Sequence, residues 1–296
     1  MKAGRPSFTA AFVATCRGLA PMLPSSARLV TDPFGMRVLG PAAEATVAAV
    51  SRSPAPVRAL AWAPMLPMLP WALYMQVRTK VLDDVVRSFV AAGGQQVVIL
   101  GAGFDARAWR LGEELGDAIV YEVDHPATAR AKRDRFGETS RVRALDFDFE
   151  ADELSSLPAR LEALGHRADQ PTLTLWEGVT MYLTQRAFEA TLDAVRAYSG
   201  RGSKLAFNYV DRGIVERPSP AARAVSAIVR AVGEPFKLGF SPRALASLLE
   251  QHGFIVDEDR GFDEHASRLL PSPWSRVVRR GRRIAVVERS ATAVRR

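Results

Sequence analysis

The chain contains 296 residues, of which 48% are hydrophobic and 24% are charged, a composition typical of a soluble globular protein with a sizeable core. Its single cysteine, Cys16, excludes an internal disulfide, so we expect a reduced, cytoplasmic setting. The net charge is +8, but residues 276–296 hold eight arginines and one glutamate without interleaved aromatic residues, so we expect a solvated basic tail and no nucleic-acid partner.

The first ninety residues carry helical patterns and precede the first strand, which predicts an N-terminal helical cap over residues 1–90, on the ligand edge of a sheet. Within it, residues 59–77 are uncharged and long enough to suggest a membrane span. Pro64, Pro67 and Pro70 recur at every third residue, however, and would break a continuous helix. We therefore expect an apolar segment that covers part of the protein, without stable membrane insertion.

Residues 91–296 alternate short apolar runs with helical patterns, which is typical of parallel βαβ units. The predicted strands cover 95–100, 118–124, 142–148, 172–178, 203–210, 254–260 and 283–289. The predicted helices cover 127–136, 185–199 and a segment that begins at Pro242, after Ser241 as N-cap, and ends at Gly253. The less regular stretch 211–240 predicts an insertion after strand five. The sequence thus predicts the α/β class, with a doubly wound, Rossmann-like sheet of seven strands.

A glycine-rich turn follows the first strand in VVILGAGFDAR. Gly101 and Gly103 lie between a strand and a helix, where the missing side chains let the backbone approach a ligand. The turn predicts a nucleoside-containing cofactor. With Ala106 the pattern also satisfies G-x-G-x-x-A, so the motif alone leaves a nicotinamide or flavin cofactor open.

Two carboxylates favour a different cofactor. Asp105 lies in the turn, where it would repel a pyrophosphate and attract the ammonium of a methionine moiety, although it also fits a helix N-cap. Asp124 ends the second strand about twenty residues after the glycines, where a carboxylate accepts hydrogen bonds from ribose hydroxyls. Glu122 points to the same side of that strand and is the second choice.

Asp146 and Phe147 end the third strand. We expect the carboxylate of Asp146 to accept from the adenine amino group, while the backbone and ring of Phe147 shape the pocket. The acidic run DFDFE leaves a plain strand end as the alternative.

Arg78 lies on an apolar helix stripe, four residues from both Tyr74 and Leu82. A guanidinium that faces a core needs an anionic partner, because burying it unpaired is costly. The carboxylate of the cofactor's methionine end is one candidate, and Asp105 or Glu122 is the alternative.

The chain resembles the leucine carboxyl methyltransferase family, in particular its bacterial small-molecule branch with polyketide O-methyltransferases. The resemblance rests on VRTKVLDD, QQVVILGAGFDARAWRL, VYEVDHP, LDFD, TLTLWEGVTMYL and GEPFKLGFSPRALASLLEQHGF. It implies a seven-stranded methyltransferase fold with a helical cap and S-adenosylmethionine as cofactor.

The resemblance also implies roles for individual residues. Around the cofactor it suggests Arg78 at the carboxylate, Gly101, Ala102 and Gly103 at the backbone, Asp124 at the ribose, Asp146 and Phe147 at the adenine, and Glu177 at the ammonium region. Tyr182 matches a tyrosine near the transferred methyl group, which makes it the candidate catalytic residue. Phe147 stands where the family usually has leucine, and Ala106 where threonine is frequent.

The acceptor stays open between a small-molecule carboxylate and a phenol or enol. The residues expected to contact it are Trp71 and Tyr74 of the cap, Asn208 and Tyr209 at the end of strand five, and Arg212 as an anchor for an anion. None of these is a strong base at neutral pH, which favours a carboxylate. The four histidines form no metal-spaced cluster, so we expect no metal. A nicotinamide-dependent oxidoreductase and a non-catalytic regulator that binds the nucleoside are the competing hypotheses.

Overall fold

A seven-stranded sheet lies at the centre of the computed structural model, which describes residues 7–216, 236–278 and 280–290. The strands are β1 (Gln96–Leu100), β2 (Ile119–Asp124), β3 (Val142–Asp146), β4 (Thr172–Trp176), β5 (Lys204–Val210), β6 (Phe254–Gly261) and β7 (Arg282–Arg289). Their order in the sheet is β3-β2-β1-β4-β5-β7-β6. β7 runs antiparallel to β5 and β6, and the other neighbours are parallel. The predicted α/β fold with seven strands is confirmed.

Helices cover both faces of the sheet. They are α1 (Phe8–Gly18), α2 (Pro41–Arg52), α3 (Ala55–Trp62), α4 (Leu69–Ala91), α5 (Arg107–Arg110), α6 (Pro126–Phe136), α7 (Leu157–Glu162), α8 (Gln185–Tyr198), α9 (Arg212–Glu216), α10 (Pro242–Gln251) and α11 (Phe262–Leu269). Four of the described helices, α1, α6, α8 and α10, begin with an N-cap side chain that accepts a backbone N–H. The Thr184 hydroxyl accepts from the Ala187 N–H at 3.2 Å, and the Ser241 hydroxyl accepts from the Ala244 N–H at 3.3 Å.

The apolar, proline-rich segment is not one continuous helix. Pro64 and Pro67 lie in a 3₁₀ stretch, Ala63–Met68, between α3 and α4, and Pro70 lies in the first turn of α4. Proline fits a helix start because its missing N–H has no partner there in any case. Within the described ranges, no helix combines the length and the apolar character that crossing a bilayer requires.

Alternation along the strands divides the core into two layers. Val97 and Ile99 of β1 pack against α4 in a layer shared with the cap, which we call the cap layer. Val98 and Leu100 pack in the opposite layer with α8 and α10. Successive side chains of a strand point to opposite faces, so each strand residue meets the cap helices or the opposite layer.

Two regions differ from the sequence prediction or lie partly outside the described residues. The predicted insertion begins with α9, but residues 217–235 lie outside the described residues. The arginine-rich stretch is not wholly a solvated tail, because Arg282, Arg283 and Arg289 belong to β7. Antiparallel pairing with β5 places Arg282 beside the last residue of that strand, at the carboxyl ends of the parallel strands.

Candidate functional site

The glycine-rich turn lies at the carboxyl end of β1 and can accept no side chains. Gly101 and Gly103 have φ values of +66° and +54°, a region that favours glycine. A Cβ on Gly101 would lie 2.7 Å from Val179 Cγ2, and one on Gly103 would lie 3.0 Å from Ala10 Cβ. The N–H groups of Gly101 and Ala102 donate to the Val123 carbonyl, which fixes the turn on β2. Backbone rather than side chains therefore faces the end of the sheet here.

Asp124 lies beside this turn, as the sequence predicted. Its carboxylate accepts from the Gly103 N–H and, at 2.6 Å, from the His125 N–H. Burial raises the pKa of Asp124, and the two N–H donors oppose that shift. A cavity of about 220 Å³ opens between Gly103, Asp124 and Lys132.

Asp105 is not an open carboxylate, which differs from the predicted attraction of a ligand ammonium. It accepts from the Arg107 N–H at 2.7 Å and forms an ion pair with the Arg107 guanidinium. Burial disfavours its ionised form, yet Arg107 holds the pKa of Asp105 well below its usual range. Asp105 precedes Ala106, the N-cap of α5, so it is not the N-cap that was its alternative role; it accepts from the first N–H of the helix, and its charge is already compensated.

Arg78 is buried, and its anionic neighbour is neither of the protein carboxylates expected from the sequence. Arg78 Nε lies 2.7 Å from Glu177 Oε1, at the end of β4. Both side chains are buried, so Glu177 supplies the counter-charge that the buried guanidinium needs. Glu122 is paired elsewhere, since its carboxylate lies 2.7 Å from Lys132 Nζ.

A buried arginine–carboxylate cluster surrounds this contact. Arg107 Nη2 lies 2.8 Å from Glu177 Oε2, and Arg107 Nε donates to Asp83 at 2.9 Å. Arg110 also pairs with Asp83. Burial disfavours the charge on Glu177, but Arg107 and Arg78 outweigh it and lower the pKa of that carboxyl. Glu177 is thus held ionised and is a weak base.

The end of β3 holds the two residues predicted to meet the adenine. Asp146 is the last residue of the strand and is exposed. The ring of Phe147, however, is completely buried in the layer opposite the cap, and its N–H donates to the Asp124 carbonyl at 2.8 Å. The prediction that this ring lines a pocket is therefore wrong, because apolar packing takes it into the core.

An aromatic group from the cap faces the ends of β5 and β7. Tyr74 stacks on Phe262 with ring centroids 4.4 Å apart, and Trp71 meets Tyr74 edge to face at 6.1 Å. The guanidinium of Arg282 lies 5.1 Å from the Trp71 ring centroid and 5.0 Å from that of Tyr74. The two cap residues predicted to meet an acceptor thus lie together at the sheet edge.

Two further predicted residues lie near Glu177: Asn208 on β5, and Tyr182 on the loop after β4. Asn208 is fully buried, and its side-chain oxygen accepts from the Gly178 N–H at 2.7 Å. Its Nδ2 has no hydrogen-bond partner in the described part of the chain. Tyr182 ends a 3₁₀ turn, Thr180–Tyr182, and its ring lies 5.6 Å from that of Phe236.

Two of the predicted acceptor contacts are wrong. Tyr209 points into the opposite core layer, where its hydroxyl donates to Asp259 at 2.7 Å. Its neighbour Asn208 faces the cap instead, because strand side chains alternate. Arg212 is mostly exposed and pairs with Glu216 within α9 at 2.5 Å. An arginine neutralised on the surface does not serve as the predicted anion anchor.

The sequence prediction missed Arg107, Asp83 and Arg282. Arg107 follows Asp105 by two residues in GAGFDAR, and Asp83 lies in VRTKVLDD, so both belong to motifs that carry the family resemblance. No local signal marked Arg282, because its aromatic partners are about two hundred residues away in the chain. Within the described ranges, no group of three or more histidine, cysteine or acidic residues could hold a metal ion.

Known proteins support one family. The sequence profile of the family named leucine carboxyl methyltransferase matches residues 10–196. A relative from Streptomyces avermitilis, provisionally named an S-adenosyl-L-methionine-dependent methyltransferase, is 32% identical over 72% of this chain and 74% of its own. A relative from Mycolicibacterium vanbaalenii with the same provisional name is 39% identical over 54% of this chain, a match that spans about half (52%) of that relative's length.

A solved structure agrees on the fold. The crystal structure of a provisionally named methyltransferase from Thermobifida fusca YX aligns with a TM-score of 0.57 at 14% identity, over 98% of this chain and 97% of that one. At this identity the likeness concerns the fold alone. The chain belongs to the leucine carboxyl methyltransferase family.

Proposed function

We propose that the protein is an S-adenosylmethionine-dependent methyltransferase whose acceptor is an oxygen of a small molecule. The observation that carries the proposal is the set of groups at the carboxyl ends of the strands: a turn whose two glycines present no side chain, Asp124 bonded to that turn, and the buried guanidinium of Arg78. The names of the relatives, S-adenosyl-L-methionine-dependent methyltransferases, point to the same cofactor.

The residues present fit that cofactor. Arg78 would bind its carboxylate, because a guanidinium offers several N–H donors and its ion pair with Glu177 is made through Nε. The backbone of Gly101, Ala102 and Gly103 would lie against it, because the two glycines present no side chain there. Asp124 retains lone pairs for the ribose hydroxyls, and the exposed Asp146 is free to accept from the adenine amino group. Glu177 stays the expected neighbour of the ammonium region, although Arg78 and Arg107 already compensate its charge.

The transfer reaction needs little chemistry from the protein. When bound, S-adenosylmethionine supplies a methyl group on a sulfonium sulfur, so that an acceptor oxygen forms the new C–O bond as the C–S bond breaks and its electron pair stays on sulfur. The cap helices and the arginine–carboxylate cluster align the reactants and exclude water. Tyr182 is the candidate for contact near the reacting atoms.

A carboxylate is the acceptor that we favour. A carboxylic acid is already ionised at neutral pH, whereas a phenol with a pKa near ~10 must give its proton to a base. Glu177 is a poor base because Arg107 and Arg78 lower its pKa. Burial raises the pKa of Tyr74, so its hydroxyl stays protonated. The described residues at this edge thus suit an acceptor that arrives as an anion.

Binding and turnover test the proposal in sequence. Calorimetric titration should show binding of S-adenosylhomocysteine and none of NAD; binding of NAD alone would favour an oxidoreductase. Labelled methyl transfer to a panel of carboxylic acids and phenols then separates an enzyme from a regulator, which would bind without turnover. With saturating donor, the rate should be nearly flat from about pH 6 to 9 and Tyr182→Phe should lower it without changing that profile. A log-linear rise with pH and an ether product would overturn the carboxylate assignment.

A further inference from the structure

The guanidinium of Arg282 lies over two aromatic rings of the cap, at the carboxyl end of β5. Because β7 is antiparallel to β5, its first residue lies beside Val210, the last residue of β5. The half-buried guanidinium packs over Trp71 and Tyr74 at 5.1 and 5.0 Å from their centroids. A cation–π contact uses none of the N–H groups as hydrogen-bond donors to a charged partner, so the guanidinium keeps donors for an anion.

This arginine has no protein counter-ion among the described residues. Its neighbour Arg283 pairs with Asp259 at 2.9 Å, and Arg280 pairs with Asp263 at 3.2 Å. No carboxylate in the described ranges comes within 4.0 Å of Arg282. A partly buried cation without a counter-ion is costly. An anion from outside the described chain would therefore be stabilised next to Arg282.

Strand alternation directs Arg282 toward the candidate site. Arg283 faces the opposite layer with Tyr209 and Asp259, which places Arg282 on the cap face with Asn208. The Tyr74 ring lies between the two arginines, with its centroid 5.9 Å from the Arg78 guanidinium carbon and 5.0 Å from that of Arg282. Arg282 thus lies next to the residues proposed to bind the cofactor but is not one of them.

A second unsatisfied donor lies on the same face. The Nδ2 of Asn208 is buried without a hydrogen-bond partner in the described chain, while the Oδ1 of the same side chain is fixed on the Gly178 N–H. Gly178 adjoins Glu177, the partner of Arg78. Two donor groups from β5 and β7 therefore lack acceptors beside the cofactor region, and both suit an oxygen anion.

We propose that Arg282 binds the carboxylate of the methyl acceptor and is the residue that selects an organic acid as substrate. The proposal rests on the proposed methyltransferase function. One carboxylate oxygen pairs with the guanidinium, while the other forms the C–O bond with the methyl carbon as the C–S bond breaks and sulfur keeps the electron pair. The ester is neutral, so the attraction to Arg282 weakens and the product leaves. No proton is transferred.

Arg282→Met is the test variant, because methionine keeps an apolar stem against Trp71 and Tyr74 and removes the charge. Arg280→Ala is the matched control, since it removes a charge from the same segment where the side chain is 92% exposed. Both variants and the wild type are saturated with S-adenosylhomocysteine and titrated with benzoate, phenylacetate, octanoate and phenol. Methyl transfer to the same four compounds is measured with labelled donor.

We expect at least one of the acids to bind the wild type and Arg280→Ala alike, and to bind Arg282→Met about 10- to 100-fold more weakly, the effect of losing charge-assisted hydrogen bonds. Affinity for S-adenosylhomocysteine should stay unchanged, and KM for the acid should rise more than kcat falls. Equal acid affinity in Arg282→Met, preference for phenol, or no binding of any acid to the wild type would overturn the proposal. Failure of the wild type to bind S-adenosylhomocysteine would instead overturn the proposed function.

Discussion

Arg78 is buried, and the chemistry of its guanidinium predicts how substitutions change cofactor binding. Its Nε lies 2.7 Å from Glu177, and Arg107 also neutralises that carboxylate. We expect Arg78→Ala to weaken S-adenosylhomocysteine binding by about 1.5–3 kcal/mol, and Arg78→Lys to weaken it less, because an ammonium keeps the charge but loses the planar fork. Calorimetry measures both. A decarboxylated analogue of S-adenosylhomocysteine should bind the two variants with equal affinity. If the variants lose the same affinity for this analogue as for S-adenosylhomocysteine, the carboxylate assignment is wrong.

Asp124 links the glycine turn to the start of α6 through two backbone N–H groups. We expect Asp124→Ala to weaken S-adenosylhomocysteine binding by about 1–3 kcal/mol, because the ribose hydroxyls lose their acceptor in a half-buried site. The fold should survive. Asp117→Ala is the control, since it removes an equal charge from an exposed position. Unchanged affinity in a folded Asp124→Ala would remove this residue from the site.

At the scale of elements, the turn after β1 is shaped by close packing as well as by its dihedral angles. Gly101→Ala would place a Cβ 2.7 Å from Val179 Cγ2 in addition to the strain at φ +66°. We expect a loss of about 2 kcal/mol or more in the free energy of unfolding. Gly93→Ala, at φ +91° with nothing within 4 Å, should lose about 1–2 kcal/mol from strain alone. Adding Val179→Ala should recover part of the Gly101→Ala loss in denaturant melts; no recovery would mean that packing plays no part.

His166 is buried in the loop before β4, and its protonation predicts how the free energy of unfolding depends on pH. Its Nε2 lies 3.0 Å from the Thr172 hydroxyl, and burial lowers the pKa of His166 from 6.5 to about 4. The unfolded chain therefore binds a proton below about pH 6.5 that the folded chain takes up only near pH 4. The contribution of the neutral, buried imidazole to the free energy of unfolding is therefore fully present above pH 6.5 and is lost as the pH falls from 6.5 to 4. We expect His166→Gln to narrow the difference in unfolding free energy between about pH 7 and pH 5, measured in urea. An unchanged difference would contradict the assignment.

At the scale of the whole molecule, the cap and the sheet share one apolar layer. Leu73 of α4 is fully buried in the cap layer with Val97 and Ile99 of β1. The predicted boundary between residues 1–90 and 91–296 therefore divides the chain but not the packing. A shared core predicts that the two parts unfold together.

Leu73→Ala tests this coupling. We expect it to lower the free energy of unfolding by about 2–5 kcal/mol, and to reduce hydrogen-exchange protection in α4 and β1 equally. Leu60→Ala serves as the control because that side chain is 75% exposed and its removal should have little effect. Loss of protection confined to the cap helices would show that the cap is an independent unit.

The order of elements along the chain and the position of Asp124 beside the glycine turn were predictable from the sequence. Period-two and period-3.6 patterns are local, and so are the signals of Ser241 at a helix start and of Gly101 and Gly103 after a strand. Parallel strands bring their carboxyl ends to one edge, so the sequence pattern alone places Asp124 beside the glycine turn.

The tertiary structure alone decided which charges are already paired and which face each side chain occupies. Glu177 rather than Asp105 lies against Arg78, because α4 and the end of β4 are far apart in the sequence and meet only in the fold. Asp105 is compensated by Arg107, two residues along the chain, and only the conformation of the turn brings their side chains together. Tyr209 points away from the cap and Asn208 toward it, since the sheet, not the composition, sets the inward face. Arg282 looked like part of a basic tail. It meets Trp71 and Tyr74 only because antiparallel pairing returns the end of the chain to the same edge as the cap.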